Sequence, residues 1–144
     1  MRFPRTTLGR TSLDFSFSGL KTSVLYHVRG HQGRERSAAD LSAEQIADTA
    51  ASFQAACIDV LLTKLKRAIR QIKARCVIIG GGVSANRGLR EAVAGLGAPV
   101  WFPELAYCTD NAAMSAGLAY LKYQAGDVAG WDLDAIAHSQ FARS

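Results

Sequence analysis

The sequence predicts an α/β fold, and three observations favour it. Residues 76–79 (CVII) form an unbroken apolar run that ends in three glycines, which is typical of a strand in a parallel sheet. Segments with helical periodicity alternate with strand-like segments on either side of that run, as α/β domains require. The chain has 144 residues and 49% of them are hydrophobic, which suits one domain with its own core.

Composition excludes several classes of protein. Lys and Arg number 17 against 12 Asp and Glu, and the net charge of +5 permits a polyanionic partner without requiring one. Three cysteines, an odd number, argue against a disulfide framework and favour a reducing compartment, so we expect a cytoplasmic protein. No apolar run approaches the roughly 20 residues of a membrane span, and no signal peptide opens the chain. We therefore expect no membrane association and exclude secreted mini-proteins and collagen-like chains.

The first 40 residues predict a loop, a strand, a helix and a second loop. Residues 1–12 are basic and carry no periodic pattern. The alternation of Leu13, Phe15 and Phe17 with polar residues predicts a short, half-buried strand. A helix is expected over residues 20–28, and residues 29–40 read as an exposed polar loop.

A long helix is the clearest element of the sequence. Ser42 and Gln45 have the spacing of a capping box at its start. One apolar face is predicted to drive folding, and it consists of Ile46, Ala50, Phe53, Cys57, Leu61, Leu65, Ala68 and Ile72. Basic residues crowd the C-terminal end, namely Lys64, Lys66, Arg67, Arg70, Lys73 and Arg75. They form either a solvated face that complements the helix dipole or a contact for a nucleic-acid backbone.

The second half of the chain predicts strand, helix, strand and helix. A helix is expected from about residue 85 to Leu96, with Gly97 as its stop. A strand over residues 100–102 ends at Pro103, and Thr109 or Asp110 is expected to cap a last helix over residues 111–124. Beyond residue 126 the pattern is weak, and we expect a short helix or turn packed by Trp131.

The glycine-rich turn GGGVSAN, residues 80–86, is the strongest local candidate for a binding site. Glycines after a buried strand let the backbone approach a ligand, and a following helix would offer free N–H groups to an anion. The Asn86 amide suits a sugar hydroxyl or a base edge. A tight turn without ligand is the alternative. The turn also fits a loose dinucleotide fingerprint, Gly80-x-Gly82-x-x-Ala85 with Glu104, which would indicate a Rossmann unit of an oxidoreductase.

Two further segments carry polar groups. Asp110 in CTDN, residues 108–111, is either a helix cap or a metal ligand, but one carboxylate cannot make a metal site, and we interpret His27 and His31 as surface or loop residues. In SFSGLKT, residues 16–22, hydroxyls and a lysine can hold an anion, or Ser18 is an ordinary N-cap. We expect no catalytic thiol at Cys57, Cys76 or Cys108.

Three motifs together resemble one family. DFSFSGLKT at residues 14–22, GGVSANR at 81–87 and CTDNAAM at 108–114 resemble the C-terminal motifs of the TsaD family, in order and approximate spacing. FPR at residues 3–5 resembles the lead-in to the first motif. This family comprises tRNA threonylcarbamoyladenosine transferases, earlier named O-sialoglycoprotein endopeptidases or glycoproteases. The resemblance covers nearly the whole chain.

The resemblance implies a fold, an activity and a set of partners. The fold would be actin-like (the ASKHA class, with sugar kinases and Hsp70), with two α/β lobes. Members are acyltransferases that move a threonylcarbamoyl group from its adenylate to the N6 amine of a tRNA adenosine beside the anticodon. Accessory proteins of the threonylcarbamoylation complex and one divalent metal, iron or zinc, are also implied. Gly81, Gly82 and Asn86 would bind substrate, and Asp110 would ligate the metal.

One departure from the family pattern shapes our expectation. Members of the family carry a paired-histidine motif, His-x-x-x-His, and a glycine-rich segment after it in their N-terminal half, and no counterpart of that half precedes the first motif here. His27 and His31 are four residues apart but follow the first motif, and we interpret them as surface or loop residues. We therefore expect residues 1–144 to be a C-terminal lobe fragment of a longer enzyme, with an artificial or misassigned Met1, an incomplete metal site and no activity alone. An exposed lobe face would favour a homodimer.

Three alternatives remain open from the sequence. One is the Rossmann unit, and another is a non-catalytic lobe whose basic helix end docks a protein or RNA. The third is the metalloprotease of the older family name, which would need a complete metal site with an activated water.

Overall fold

The computed structural model describes residues 1–9, 11–30 and 37–134. These fall into two compact units, Met1–Cys108 and Thr109–Ser144. The first unit holds three helices and two strands, and the second holds one helix, within the residues described.

The first two helices lie close to their predicted positions. α1 spans Ser18–Arg29 and α2 spans Ala43–Ile72. The capping box is confirmed, since the Gln45 backbone N–H donates to Ser42 Oγ at 3.2 Å and the Ser42 N–H donates to Gln45 Oε1 at 2.9 Å. The predicted loop before α2 is wrong in part. Residues 38–40 form a 3₁₀ turn with a second capping box from Ser37, and residues 31–36 lie outside the described residues.

The predicted strand at residues 13–17 is wrong. These residues have no regular secondary structure, and the side chains of Leu13 and Phe15 are exposed. A strand is defined by a hydrogen-bonded neighbour, and the sheet in the described residues consists of two other segments. Alternation of side chains was therefore an insufficient signal, although Phe17 does pack against the core cluster of Phe3, Leu20 and Ala56.

The buried face of α2 differs from the predicted one. Its buried residues are Thr49, Ala56, Val60 and Lys64, whereas Ile46 and Phe53 of the predicted face are exposed. The reason is the N-terminal segment, whose Phe3 packs against Ala56.

The same N-terminal segment occupies part of the basic end of α2. Lys64 Nζ donates to the carbonyls of Thr7 and Ser12 at 2.6 and 2.7 Å, and Arg67 Nη1 donates to the carbonyls of Gly9 and Ser12 at 2.9 and 2.6 Å. Two of the six basic residues thus bind the chain's own backbone, which neither interpretation of the sequence foresaw.

By length and composition alone, α2 is also apolar enough to cross a membrane, which for a single helix is weak evidence. Its buried Lys64 is bound to backbone carbonyls of the N-terminal segment, and α2 packs against α1 and α3.

The sheet confirms an α/β arrangement. β1, Val77–Ile78, and β2, Val100–Trp101, are parallel and pair Val77 with Val100 and Ile78 with Trp101. The crossover between them contains α3, Arg87–Ala92, flanked by 3₁₀ turns at Gly82–Ala85 and Val93–Gly95. The single predicted helix to Leu96 is therefore wrong, although Gly97, with φ +75°, does follow the last turn.

Only one face of this sheet is buried, contrary to the prediction from its apolar run. Ile79, Val100 and Phe102 pack with α2 and α3 against a cluster of Leu89, Val93 and Leu96. On the other face, Ile78 is 79% exposed and Trp101 is 66% exposed. An unbroken apolar run predicts helices on both faces of the sheet. In this unit α2 and α3 pack on one face, and no described helix covers the other.

The second unit corrects two predictions. α4 spans Ala112–Gln124, and its N-cap is Asn111, whose Oδ1 accepts from the Met114 N–H at 3.1 Å, rather than Thr109 or Asp110. Trp131 lies in a turn and is fully exposed, so it packs nothing. Residues 135–144, with His138, lie outside the described residues.

Candidate functional site

The glycine turn after β1 leaves open space in front of its backbone. Gly81 has φ +82°, a conformation that side chains rarely adopt, so this position requires glycine. A Cβ at Gly80 or Gly81 would meet nothing within 4 Å. A ligand can therefore approach the main chain here without displacing protein atoms.

The predicted anion site at a helix N-terminus is not supported. The turn leads into a 3₁₀ turn and then into α3, which has only six residues. The N–H of Leu89 is already taken by Asn86 Oδ1 at 2.9 Å, and the N–H of Ser84 by the Gly81 carbonyl at 2.9 Å. So short a helix has too few aligned peptide dipoles for a strong positive end. An anion would have to rest on the turn itself.

Asn86 is the N-cap of α3 and is also joined to α2. Its Nδ2 donates to Gln54 Oε1 at 3.0 Å. Gln54 was not singled out from the sequence, because a glutamine on a long helix looks like an ordinary surface residue. The available signal was Gly88, a glycine inside a helix. A Cβ there would lie 3.0 Å from Ile58 Cδ1 and 3.2 Å from Gln54 Nε2, so Gly88 lets α3 approach α2.

Asn86 and Gln54 lie on a cleft of about 540 Å³, which we call the Asn86 cleft. Its other walls are mostly apolar and include Phe17, Phe53, Ile58, Leu61 and Val83. A volume of this size and an apolar lining with few polar groups are typical of small-molecule sites. Phe17 comes from the first motif and Asn86 from the second, so the structure brings two of the three motifs to one cleft.

Cys57 also lines the Asn86 cleft. Burial raises the pKa of its thiol, so it stays protonated at neutral pH and is a poor nucleophile. The aromatic and amide groups therefore define the chemistry of this cleft as binding rather than covalent catalysis.

The polar part of the first motif faces a different cavity. Ser18, Gly19 and Thr22 line a space of about 700 Å³ beside α1, together with Tyr26 and His27. Ser18 is not the predicted N-cap, since Phe17 occupies that position without a side-chain hydrogen bond. This cavity is larger than the Asn86 cleft, but it contains no residue of the second motif, so we take the Asn86 cleft as the candidate site.

Arg90 connects the turn to the third motif. Its Nε donates to the Ser84 carbonyl at 2.7 Å, and its Nη2 donates to the Pro103 carbonyl at 2.8 Å and to Cys108 Sγ at 3.3 Å. Its guanidinium lies 4.6 Å from the ring centroid of Phe102. Arg90 was not singled out from the sequence either, because its partners lie 6, 13 and 18 residues away, outside the three- and four-residue spacing of a helix.

Comparison with known proteins decides the family. The profile named TsaD, tRNA N6-adenosine threonylcarbamoyltransferase, matches residues 1–117 and thus includes all three motifs. The chain belongs to the TsaD family. This confirms the resemblance inferred from the three motifs.

Curated relatives extend the match along the chain. Proteins named tRNA N6-adenosine threonylcarbamoyltransferase from Moorella thermoacetica and Halalkalibacterium halodurans are 46% and 45% identical to it, each over 93% of this chain. The protein of that name from Streptococcus suis strain 05ZYH33 is 42% identical over 92% of this chain. The chain spans only 38–39% of the length of these relatives.

The described residues do not provide a complete metal site. Asp110 is exposed in the second unit, and the described residues contain no group of three or more His, Cys, Asp or Glu side chains that could hold a metal ion. Iron and zinc sites usually need three or more protein ligands. The donor set described here therefore does not fit such a metal, with Asp110 able to supply one ligand at most.

Proposed function

We propose that residues 1–144 are the C-terminal part of a cytoplasmic tRNA N6-adenosine threonylcarbamoyltransferase with an actin-like, two-lobed fold. The Asn86 cleft would hold the adenosine of threonylcarbamoyl-adenylate in the complete enzyme. The observation that carries the proposal is the meeting of Phe17 from the first motif with Asn86 from the second in one apolar cleft.

The chemistry of the cleft supports an adenylate as its ligand. Phe17 and Phe53 offer aromatic surfaces to a base, and such surfaces also keep water away. Asn86 can keep its helix cap and still bond a ligand, since Oδ1 accepts two hydrogen bonds and Nδ2 donates two. The open backbone at Gly81, which Gly82 follows in the turn, is the candidate contact for the phosphate.

The reaction assigns a limited role to these residues. The tRNA adenosine N6 attacks the carbamoyl carbon, a C–N bond forms, the bond from that carbon to the phosphate oxygen breaks, and the amine loses a proton as AMP leaves. The share of this chain is to hold and orient the AMP portion. Asp110 would contribute one carboxylate to a divalent metal, iron or zinc, whose other ligands come from outside this chain.

The tRNA partner has a candidate binding surface at the end of α2. Lys66 and Arg70 are exposed and lie four residues apart on one side of α2, and the exposed Lys73 is the C-cap of the helix. Unlike Lys64 and Arg67, they are available to phosphates.

Removing one cation that binds a phosphate should reduce the slope of log affinity against log salt by about 0.7–0.9. We expect this reduction for Arg70→Gln and none for Lys122→Gln, whose lysine is paired with Asp127. Equal slopes for both variants would remove α2 from the RNA surface.

AMP binding tests the adenylate proposal directly. Calorimetry on the 144-residue chain should detect AMP, and Asn86→Asp should weaken it at least about tenfold while the α3 cap remains. The new carboxylate repels the phosphate and lacks the Nδ2 donor, although the Gln54 amide can turn to pair with it. Gln124→Glu makes the same chemical change on α4, where Nε2 bonds Tyr120 Oη, and should leave AMP binding unchanged.

Two other results would count against the proposed function or against our expectation that the chain is inactive alone. Tighter binding of NADH than of AMP, with loss on Glu104→Gln, would favour the dinucleotide hypothesis. Threonylcarbamoyl transfer to tRNA by the chain alone would contradict our expectation that residues 1–144 have no transfer activity by themselves.

A further inference from the structure

We propose that Arg90 is a positioning residue of this site, which sets the glycine turn and the start of the third motif at a fixed separation. The effect of Arg90 on ligand binding rests on the proposed function, whereas its hydrogen bonds do not depend on which ligand binds. Neither the family profile nor the names of the relatives assign a role to this residue.

The acceptors of Arg90 belong to two segments that are far apart along the chain. The Ser84 carbonyl lies in the turn that carries Asn86, whereas the Pro103 carbonyl and Cys108 Sγ lie after β2. Ser84 is fully buried and Cys108 is 1% exposed. One guanidinium therefore joins the turn of the second motif to the first residue of the third.

The form of the side chain matters as much as its charge. A guanidinium is planar and presents five N–H donors in a fixed fork, which allows it to reach acceptors in two directions while its face rests on Phe102. A lysine ammonium would reach one segment but cannot hold both in the same geometry. Cys108 is held further by its thiol, which donates to the Glu104 carbonyl at 3.5 Å.

The position of Cys108 has consequences for the motif that follows it. Cys108 is the last residue of the first unit, and Asp110 follows two residues further along the chain. Loosening Arg90 would therefore affect the turn of the second motif and Cys108 at once, without removing any group that touches substrate.

Thiol labelling of the 144-residue chain tests the connection without any ligand. The rate at which a maleimide modifies each cysteine is followed by peptide mass spectrometry in wild type, Arg90→Gln and Arg87→Gln. Arg87 is a matched control, since its side chain is 93% exposed and pairs with Glu91 within α3. We expect Arg90→Gln to raise the Cys108 rate at least about tenfold, as the loss of a charge-assisted hydrogen bond implies, while the half-buried Cys57 keeps its rate.

Two results would overturn the proposal. One is a Cys108 rate in Arg90→Gln equal to that in Arg87→Gln. The other is a parallel rise for Cys57 and Cys108, which would show that Arg90 only stabilises the whole unit. If Arg90→Gln does not fold, Arg90→Lys serves in its place. Its Cys108 rate should exceed that of wild type, and a rate equal to wild type would refute the need for a fork.

AMP affinity then separates this proposal from the proposed function. If wild type binds AMP, Arg90→Gln should weaken it about tenfold and Arg87→Gln should not. If wild type does not bind AMP, the adenylate proposal fails, whereas the labelling result still decides whether Arg90 holds the two segments together.

Discussion

Replacing Gly88 by alanine should push α3 away from α2 beside the Asn86 cleft. The added Cβ would lie 3.0 Å from Ile58 Cδ1, 3.2 Å from Gln54 Nε2 and 3.4 Å from Asn86 Oδ1. Carbon atoms attract best at about 3.5–4.0 Å, so the contact with Ile58 needs roughly 0.5–1 Å of relief. Ile58 packs against the cluster of Leu89, Val93 and Leu96, which limits its freedom to move.

The expected cost follows from two opposing effects. Overpacking typically destabilises by about 1–3 kcal/mol, and alanine gains up to about 1 kcal/mol over glycine within a helix. We therefore expect a net loss of about 1 kcal/mol, or roughly 2–4 °C in melting temperature. The displaced Gln54 and Asn86 amides should also weaken AMP binding.

Urea unfolding followed by circular dichroism measures the first effect, and calorimetry measures the second. Gly95→Ala is the control, because a Cβ there meets nothing within 4 Å and its φ is not in the left-handed region. If Gly88→Ala matches or exceeds the stability of Gly95→Ala and binds AMP like wild type, the close approach at Gly88 has no importance for the cleft.

Two further substitutions test buried polar groups. Ser84 Oγ is buried and has no hydrogen-bond partner among the described residues, so Ser84→Ala should raise the free energy of unfolding by about 1 kcal/mol. A destabilised variant in the same urea assay would indicate a partner for that hydroxyl. Lys64→Met should free the N-terminal segment, which hydrogen exchange at residues 3–12 would detect. Burial, aided by the charge of Arg67 and opposed by Asp14, lowers the pKa of Lys64 from its usual 10.5. The unfolded chain therefore binds this proton more tightly, and the stability of wild type relative to Lys64→Met should rise as the pH approaches 10.5. A relative stability that falls over that interval would contradict the sign of the shift.

Local features were predictable from the sequence, because each depends on residues within a few positions of one another. Ser42 and Gln45 specify the start of α2 through hydrogen bonds three residues apart. The glycines after β1 specify a turn that only Gly81, at φ +82°, can make. The three motifs identified the family for the same reason, since each is a short run of residues in a fixed order.

Features that depend on distant residues were decided by tertiary structure alone. The periodicity of α2 predicts an apolar face, but residues 1–12 select which side is buried by packing Phe3 on Ala56, 53 positions away. Gln54 meets Asn86 across 32 positions, and Arg90 meets Cys108 across 18. No local pattern marks such pairs, because a hydrogen bond between two elements depends on how closely those elements pack. Side-chain volumes decide that distance, as at Gly88, where the absence of a Cβ lets α3 approach α2.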